Sequence, residues 1–143
     1  MTEQNDYARL RKRLPELRDR LDRVENPIAP GMPDINFCAD GHEMWIEQKS
    51  PIEPVRPTTP LFGSNHRVSQ NQMNWHLRQY QAGGISWLLI TTDKRWILIS
   101  GSRIEQDINK LTVNELIEQS VWATEKPIRD PKQWDWLRDA LIS

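Results

Sequence analysis

Residues 31–49 read GMPDINFCADGHEMWIEQK, and the folding of this stretch decides the rest of the chain. Asp40-Gly41 readily takes the positive φ angles of a tight turn, and it separates two strand-like runs, about Asp34 to Cys38 and Glu43 to Lys49. The spacing therefore predicts a β-hairpin. Side chains two apart on a strand point the same way, so Glu47 and Lys49 share a face, roughly 7 Å apart at their backbones. Antiparallel pairing through the turn brings Asp34 opposite that end. Two carboxylates and an ammonium then converge on one spot.

Downstream, Ser50 to Arg67 carries Pro51, Pro54, Pro57 and Pro60, a composition that resists both helix and ladder and predicts a stiff excursion or arm. Ser69 to Ala82 reads as a helix with apolar positions at Met73, Leu77 and Tyr80, ended by Gly83 and Gly84. The runs ISWLLITT from Ile85 and RWILIS from Arg95 are nearly continuous in apolar residues, as expected of strands in the buried middle of a sheet. The remainder reads as helical. One helix spans about Val113 to Ala123, and a last one starts at Pro131 with Asp130 as N-cap. Trp134, Leu137 and Leu141 share a face of that last helix, which is assigned to packing or to a subunit contact.

Upstream, Tyr7, Leu10, Leu14, Leu17, Leu21 and Val24 recur at three- and four-residue steps, predicting an amphipathic helix from about Asp6 to Val24 that Pro15 splits or kinks. Asn26 to Pro33 is an extended connection. With 143 residues, 37% hydrophobic and 27% charged, the chain suits one compact domain and leaves no room for a second catalytic one. Its parts are an N-terminal helix (about 6–24), a core (about 25–101) and a C-terminal helical segment (about 102–143).

Composition narrows the chemistry. No run of about 18 apolar residues occurs, and the start MTEQNDYARLRKR lacks the basic-then-apolar plan of a secretory signal, so a soluble, cytoplasmic protein without a membrane partner is expected. Cys38 is the only cysteine, and His42, His66 and His76 are scattered without ligand spacing, which excludes a multi-cysteine zinc site. A bound metal would need oxygen ligands, favouring Mg²⁺ or Mn²⁺. Net charge is -1 and the pI about 6.3, so global charge does not point to nucleic acid. Arg9, Arg11, Lys12, Arg13, Arg18, Arg20 and Arg23 crowd the N-terminal region, but Glu16, Asp19, Asp22 and Glu25 are mixed among them, as on a solvated helix with i,i+4 pairs.

The convergent trio suits phosphodiester hydrolysis. Carboxylates of Asp34 and Glu47, with the backbone carbonyl of Gln48, are the expected ligands of a Mg²⁺ that polarises phosphate and acidifies water. Lys49 would contact the attacking water and the pentavalent phosphate.

The order GMPD, hairpin, WIEQK, a helix opening SQNQ, then GG and an apolar strand resembles the PD-(D/E)xK nuclease superfamily. Within it the chain looks most like the VRR-NUC group and small phage-encoded relatives, including Holliday-junction-resolving enzymes. The similarity covers about residues 23–100. It implies an α/β, restriction-endonuclease-like fold: an α-β-β-β-α-β core with a central mixed sheet flanked by helices, here with extra C-terminal helices. It also implies Mg²⁺ or Mn²⁺ and cleavage of DNA, often branched. Two cuts resolve a four-way junction, so that substrate implies a homodimer, and phage origin would place it in the host cytoplasm.

On this mapping Asp34, Glu47 and Lys49 take the catalytic roles, and Gln72 matches the glutamine often found on the following helix. Ser69-Gln70-Asn71-Gln72 equally matches the S/T-x-x-E/Q capping box, and one glutamine can serve both ends. The additional upstream acid of such families falls first to Glu25 and second to Glu16. Arg56, His66, Arg67 and Arg78 are candidate phosphate contacts, which would position DNA without reading its sequence. The alternatives are a nuclease that nicks or trims ordinary duplex or single strands, and a non-catalytic nucleic-acid-binding or interaction module that kept the fold. The intact trio argues against the module.

Overall fold

The computed structural model describes residues 3–14, 19–24, 31–63 and 66–143. Its elements in chain order are α1 (Glu3–Arg13), β1 (Arg20–Arg23), β2 (Ile35–Ala39), β3 (His42–Lys49), α2 (Gln70–Gln81), β4 (Ile85–Thr91), β5 (Arg95–Ser100), α3 (Val113–Gln119), β6 (Trp122–Glu125) and α4 (Lys132–Ile142), with two 3-10 turns after β5. The six strands form one mixed sheet in sequence order. β3 and β4 run parallel and the other neighbours antiparallel. A parallel pair cannot be closed by a tight turn, and α2 supplies the crossover. This is the central mixed sheet flanked by helices that the residue order led one to expect.

The hairpin forms as its sequence dictates. Asp40 (φ 50°) and Gly41 (φ 77°) both take positive φ, which matches the right-handed twist of the strands they join. β4 and β5, the two apolar runs, are buried along nearly their whole length. Alternation sorts their side chains into two cores. Ile35, Phe37, Ile46, Leu89 and Leu98 pack under α1 and α4, with Leu10, Leu14, Leu137 and Leu141. Leu88, Ile90, Ile97 and Ile99 pack under α2 and α3, with Met73 and Leu116. Trp96, fully buried, meets Trp134 edge-on at 5.4 Å between ring centroids, so the predicted face of α4 does pack inward.

Four expectations need correction. The N-terminal helix ends at Arg13 and does not run to Val24: Arg20–Arg23 is an edge strand paired with β2, Leu21 opposite Phe37. Pro15 lies outside the described residues. The helix expected over about Val113 to Ala123 ends at Gln119 as α3, and Trp122–Glu125 forms a sixth strand against β5. On α2 the buried residues are Met73 and His76, while Leu77 and Tyr80 are 52% and 60% exposed.

Last, the proline-rich segment is no free arm. Pro51, Leu61, Phe62 and Val68 are buried, Leu61 N–H donates to Leu111 O (3.0 Å), and Asn109 bonds both backbone groups of Val68 at 2.8 Å. Prolines stiffen this chain, but its apolar residues have a core face to cover.

Candidate active site

Glu47 and Lys49 lie on the α2 face of β3, whereas Gln48 between them points to the opposite face and donates from Nε2 to Thr91 Oγ1 (3.2 Å). The pairing of Ile35 with Ile46 sets Asp34, one step further, beside Glu47. Glu47 is 7% exposed, and Gln72 Nε2 donates to its Oε1 at 3.1 Å. Lys49 donates from Nζ to Arg67 O (3.1 Å).

Gln72 reaches Glu47 from the first turn of α2, a helix that lies over β4 and the 3-10 turn Gly101–Arg103. Its capping box is complete: Ser69 Oγ accepts from Gln72 N (3.1 Å), and Gln72 Oε1 accepts from Ser69 N (2.9 Å). The two readings of Gln72 are therefore both realised, one by each end of its amide. One turn along, Trp75 meets Trp45 edge-on at 6.1 Å, a second rung beside the Glu47–Gln72 pair. Gly31, at φ +84°, lies so close to the first turn of α2 that a Cβ there would sit 2.2 Å from Asn71 O. The segment leading into Asp34 is thus pressed against the helix that carries Gln72.

Burial raises the pKa of Asp34 above its ordinary value of 3.8; the Arg23 guanidinium, the backbone N–H groups of Asp34 and Gln48, and Lys49 pull in the other direction without cancelling it. Arg23 stands 3.6 Å from Asp34 Oδ2 and covers the Tyr7 ring at 5.3 Å. Oδ1 of Asp34 is buried with no hydrogen-bond partner. A buried, unpartnered carboxylate oxygen beside a second carboxylate is a donor set that suits a hard divalent cation. Among the described residues no three His, Cys, Asp or Glu side chains group as a complete metal cage, so water and phosphate oxygens would fill the remaining positions.

Glu25 and Glu16 lie outside the described residues. Arg67 borders the site through its carbonyl and is itself exposed; His66 is its half-buried neighbour. Arg56 is exposed on the proline-rich segment. Arg78, exposed near the far end of α2, stands about 9 Å further along the helix axis than Gln72 and away from the trio. Arg23 escaped the sequence reading as a site residue. Its position follows from β1 pairing with β2, which sets it opposite Ile35, next to Asp34.

No protein-family model and no curated protein matches this chain. Its architecture does find a solved counterpart. The fold is shared with a Holliday junction resolvase. The structure is that of Hjc from Archaeoglobus fulgidus, an archaeal hyperthermophile, and it aligns with a TM-score of 0.51 over 80% of this chain and 86% of that one, at 17% identity. At that identity the likeness is one of fold. Among the described residues no helix is long and apolar enough to cross a membrane.

Proposed function

We propose that the chain is a divalent-metal-dependent nuclease that hydrolyses DNA phosphodiester bonds, with branched DNA as its substrate. The observation that carries this is the grouping of Asp34, with its buried unpartnered Oδ1, beside Glu47 and Lys49 on one sheet face. The fold shared with a Holliday junction resolvase is the support for branched DNA.

Asp34 and Glu47, with the Gln48 carbonyl, would hold Mg²⁺ or Mn²⁺. When bound, the cation supplies Lewis acidity toward a phosphoryl oxygen and acidifies a water. Gln72 holds one oxygen of Glu47 and so restrains the carboxylate's rotation. Lys49 offers an ammonium to the charge that builds on phosphate as the bond to water forms. Backbone phosphates past Arg67 and Arg56 would position the strand without base readout. Resolution of a four-way junction takes two cuts, so a homodimer is the matching assembly.

The test compares cleavage of a four-way junction, a flap, linear duplex and single-stranded DNA by wild type and Glu47→Ala, in Mg²⁺, in Mn²⁺ and in EDTA. Cleavage by wild type that is lost in EDTA and in the variant is the expected result. Equal activity of the variant removes the site assignment. Binding without any cleavage favours the non-catalytic module, and junction cleavage within a few fold of duplex removes the branched-DNA preference.

A further inference from the structure

Just beyond Lys49 the chain holds two apolar side chains in solvent. Ile52 is 78% exposed and Val55 99% exposed. Single exposed aliphatics are ordinary, but this pair sits on a backbone locked from several sides. Ser50 Oγ and Thr91 Oγ1 share a hydrogen bond of 2.7 Å before it, and Pro51 is buried. Glu53 then anchors the tip. Its N–H donates to Asp93 Oδ1 (2.8 Å), and its Oε2 accepts from Thr92 Oγ1 (2.6 Å) and Arg95 Nε (2.8 Å). Pro54 and Pro57 restrict the backbone on the far side of the tip, Thr59 N–H closes a turn on Arg56 O (3.1 Å), and Arg56 is exposed beside Val55.

Such a loop presents its apolar tips already ordered, so little entropy is lost when they meet a partner. A stable protein interface needs about 800 Å² on each side, far more than two aliphatic side chains offer. Aliphatic side chains that enter a base step need no more than this. Position points the same way. Ile52 follows Lys49 by three residues and Val55 by six, a chain reach of at most about 11 Å and 21 Å. At about 3.4 Å per base step the nearer tip falls within about three steps of the phosphate that Lys49 would face.

We propose that Ile52 and Val55 form an apolar wedge that enters and unstacks a base step of the DNA substrate within a few steps of the cleaved phosphate, with Arg56 on the flanking backbone. This rests on the nuclease reading above. The substrate class it names is DNA with a weakened step beside the cut, such as a branch point, because opening an intact stack costs free energy that a step already disrupted does not.

The experiment uses the full chain and a four-way junction carrying 2-aminopurine at and around the crossover. Fluorescence is read on binding of Glu47→Gln, with and without Ile52→Ser and Val55→Ser together; both positions are exposed, and thermal melting of the variants checks folding. The expected result is a rise of severalfold at one or two positions that falls below twofold with the serines, while anisotropy shows binding retained within a few fold. In otherwise wild-type protein the serine pair slows cleavage tenfold or more, and a two-base mismatch at the responsive step restores the rate. Unstacking that persists with the serines overturns the proposal. So does a cleavage loss that the mismatch does not restore, or a change of mass by light scattering, which would make the loop a contact between copies of the chain. If wild type neither binds nor cuts the junction in Mg²⁺ or Mn²⁺, the nuclease reading falls and the wedge with it; cutting without unstacking sinks the wedge alone.

Discussion

Gln72 donates from Nε2 to Oε1 of Glu47 at 3.1 Å while its own Oε1 accepts the N–H of Ser69, so one side chain closes the helix cap and holds the candidate metal ligand. The two tasks can be separated. Ser69→Ala removes the hydroxyl half of the cap and is expected to lower stability by about 1 kcal/mol, with cleavage kept within a few fold. Gln72→Ala should cost a similar amount of stability and lower metal-dependent cleavage at saturating DNA by tenfold or more. Denaturant titrations and single-turnover rates on the two variants check this; equal rates would leave Gln72 as a cap only.

Gly31 is held at φ +84° against Asn71 O, where a Cβ has neither the space nor the backbone angle it needs. Gly31→Ala is expected to destabilise the protein by roughly 1–3 kcal/mol and to shift the start of α2 away from Glu47. A lower melting temperature together with reduced cleavage is the outcome to look for, and an unchanged melt would contradict the close contact.

Asp6 and Lys126 form an ion pair of 2.9 Å whose side chains are 1% and 5% exposed, joining α1 to the chain after β6. Removing one partner strands the other charge away from water. Asp6→Ala should therefore cost about 3–5 kcal/mol, and combining it with Lys126→Met should recover much of the loss. Urea midpoints for the two singles and the double give the coupling directly.

His76 is 1% exposed, shares a 2.7 Å hydrogen bond with Ser86 Oγ, and its Nε2 has no partner. Burial lowers its pKa from 6.5 to about 4. The unfolded chain therefore takes up this proton before the folded one does. The stabilisation is complete above about pH 6.5 and is lost as pH falls toward 4, by on the order of 3 kcal/mol. Urea midpoints at about pH 7.5, 6 and 4.5 should fall more steeply for wild type than for His76→Gln, and parallel curves would refute it.

Leu21 and Val24 continue the three- and four-residue spacing of Leu10 and Leu14, so nothing in the local pattern distinguished a strand from a longer helix. What makes Arg20–Arg23 a strand is the free edge of β2, whose backbone groups it pairs. The same holds at the other edge, where Trp122–Glu125 pairs with β5. Strands of four residues carry too little period to be read alone, and pairing decides them.

The hairpin, the grouping of Glu47 with Lys49, the cap at Ser69 and the two apolar strands follow from the residue order, because each rests on bonds and φ angles within a few neighbours. Arg23 beside Asp34, Gln72 reaching Glu47, and the clamped loop that holds Ile52 and Val55 outward were decided by tertiary structure. Each depends on which strand found which edge and which helix lay across it, and those contacts are made by burial between residues far apart in the chain. The trio of Asp34, Glu47 and Lys49 was legible in the order of residues; the burial of Asp34 and the orientation of Glu47 belong to the packing around it.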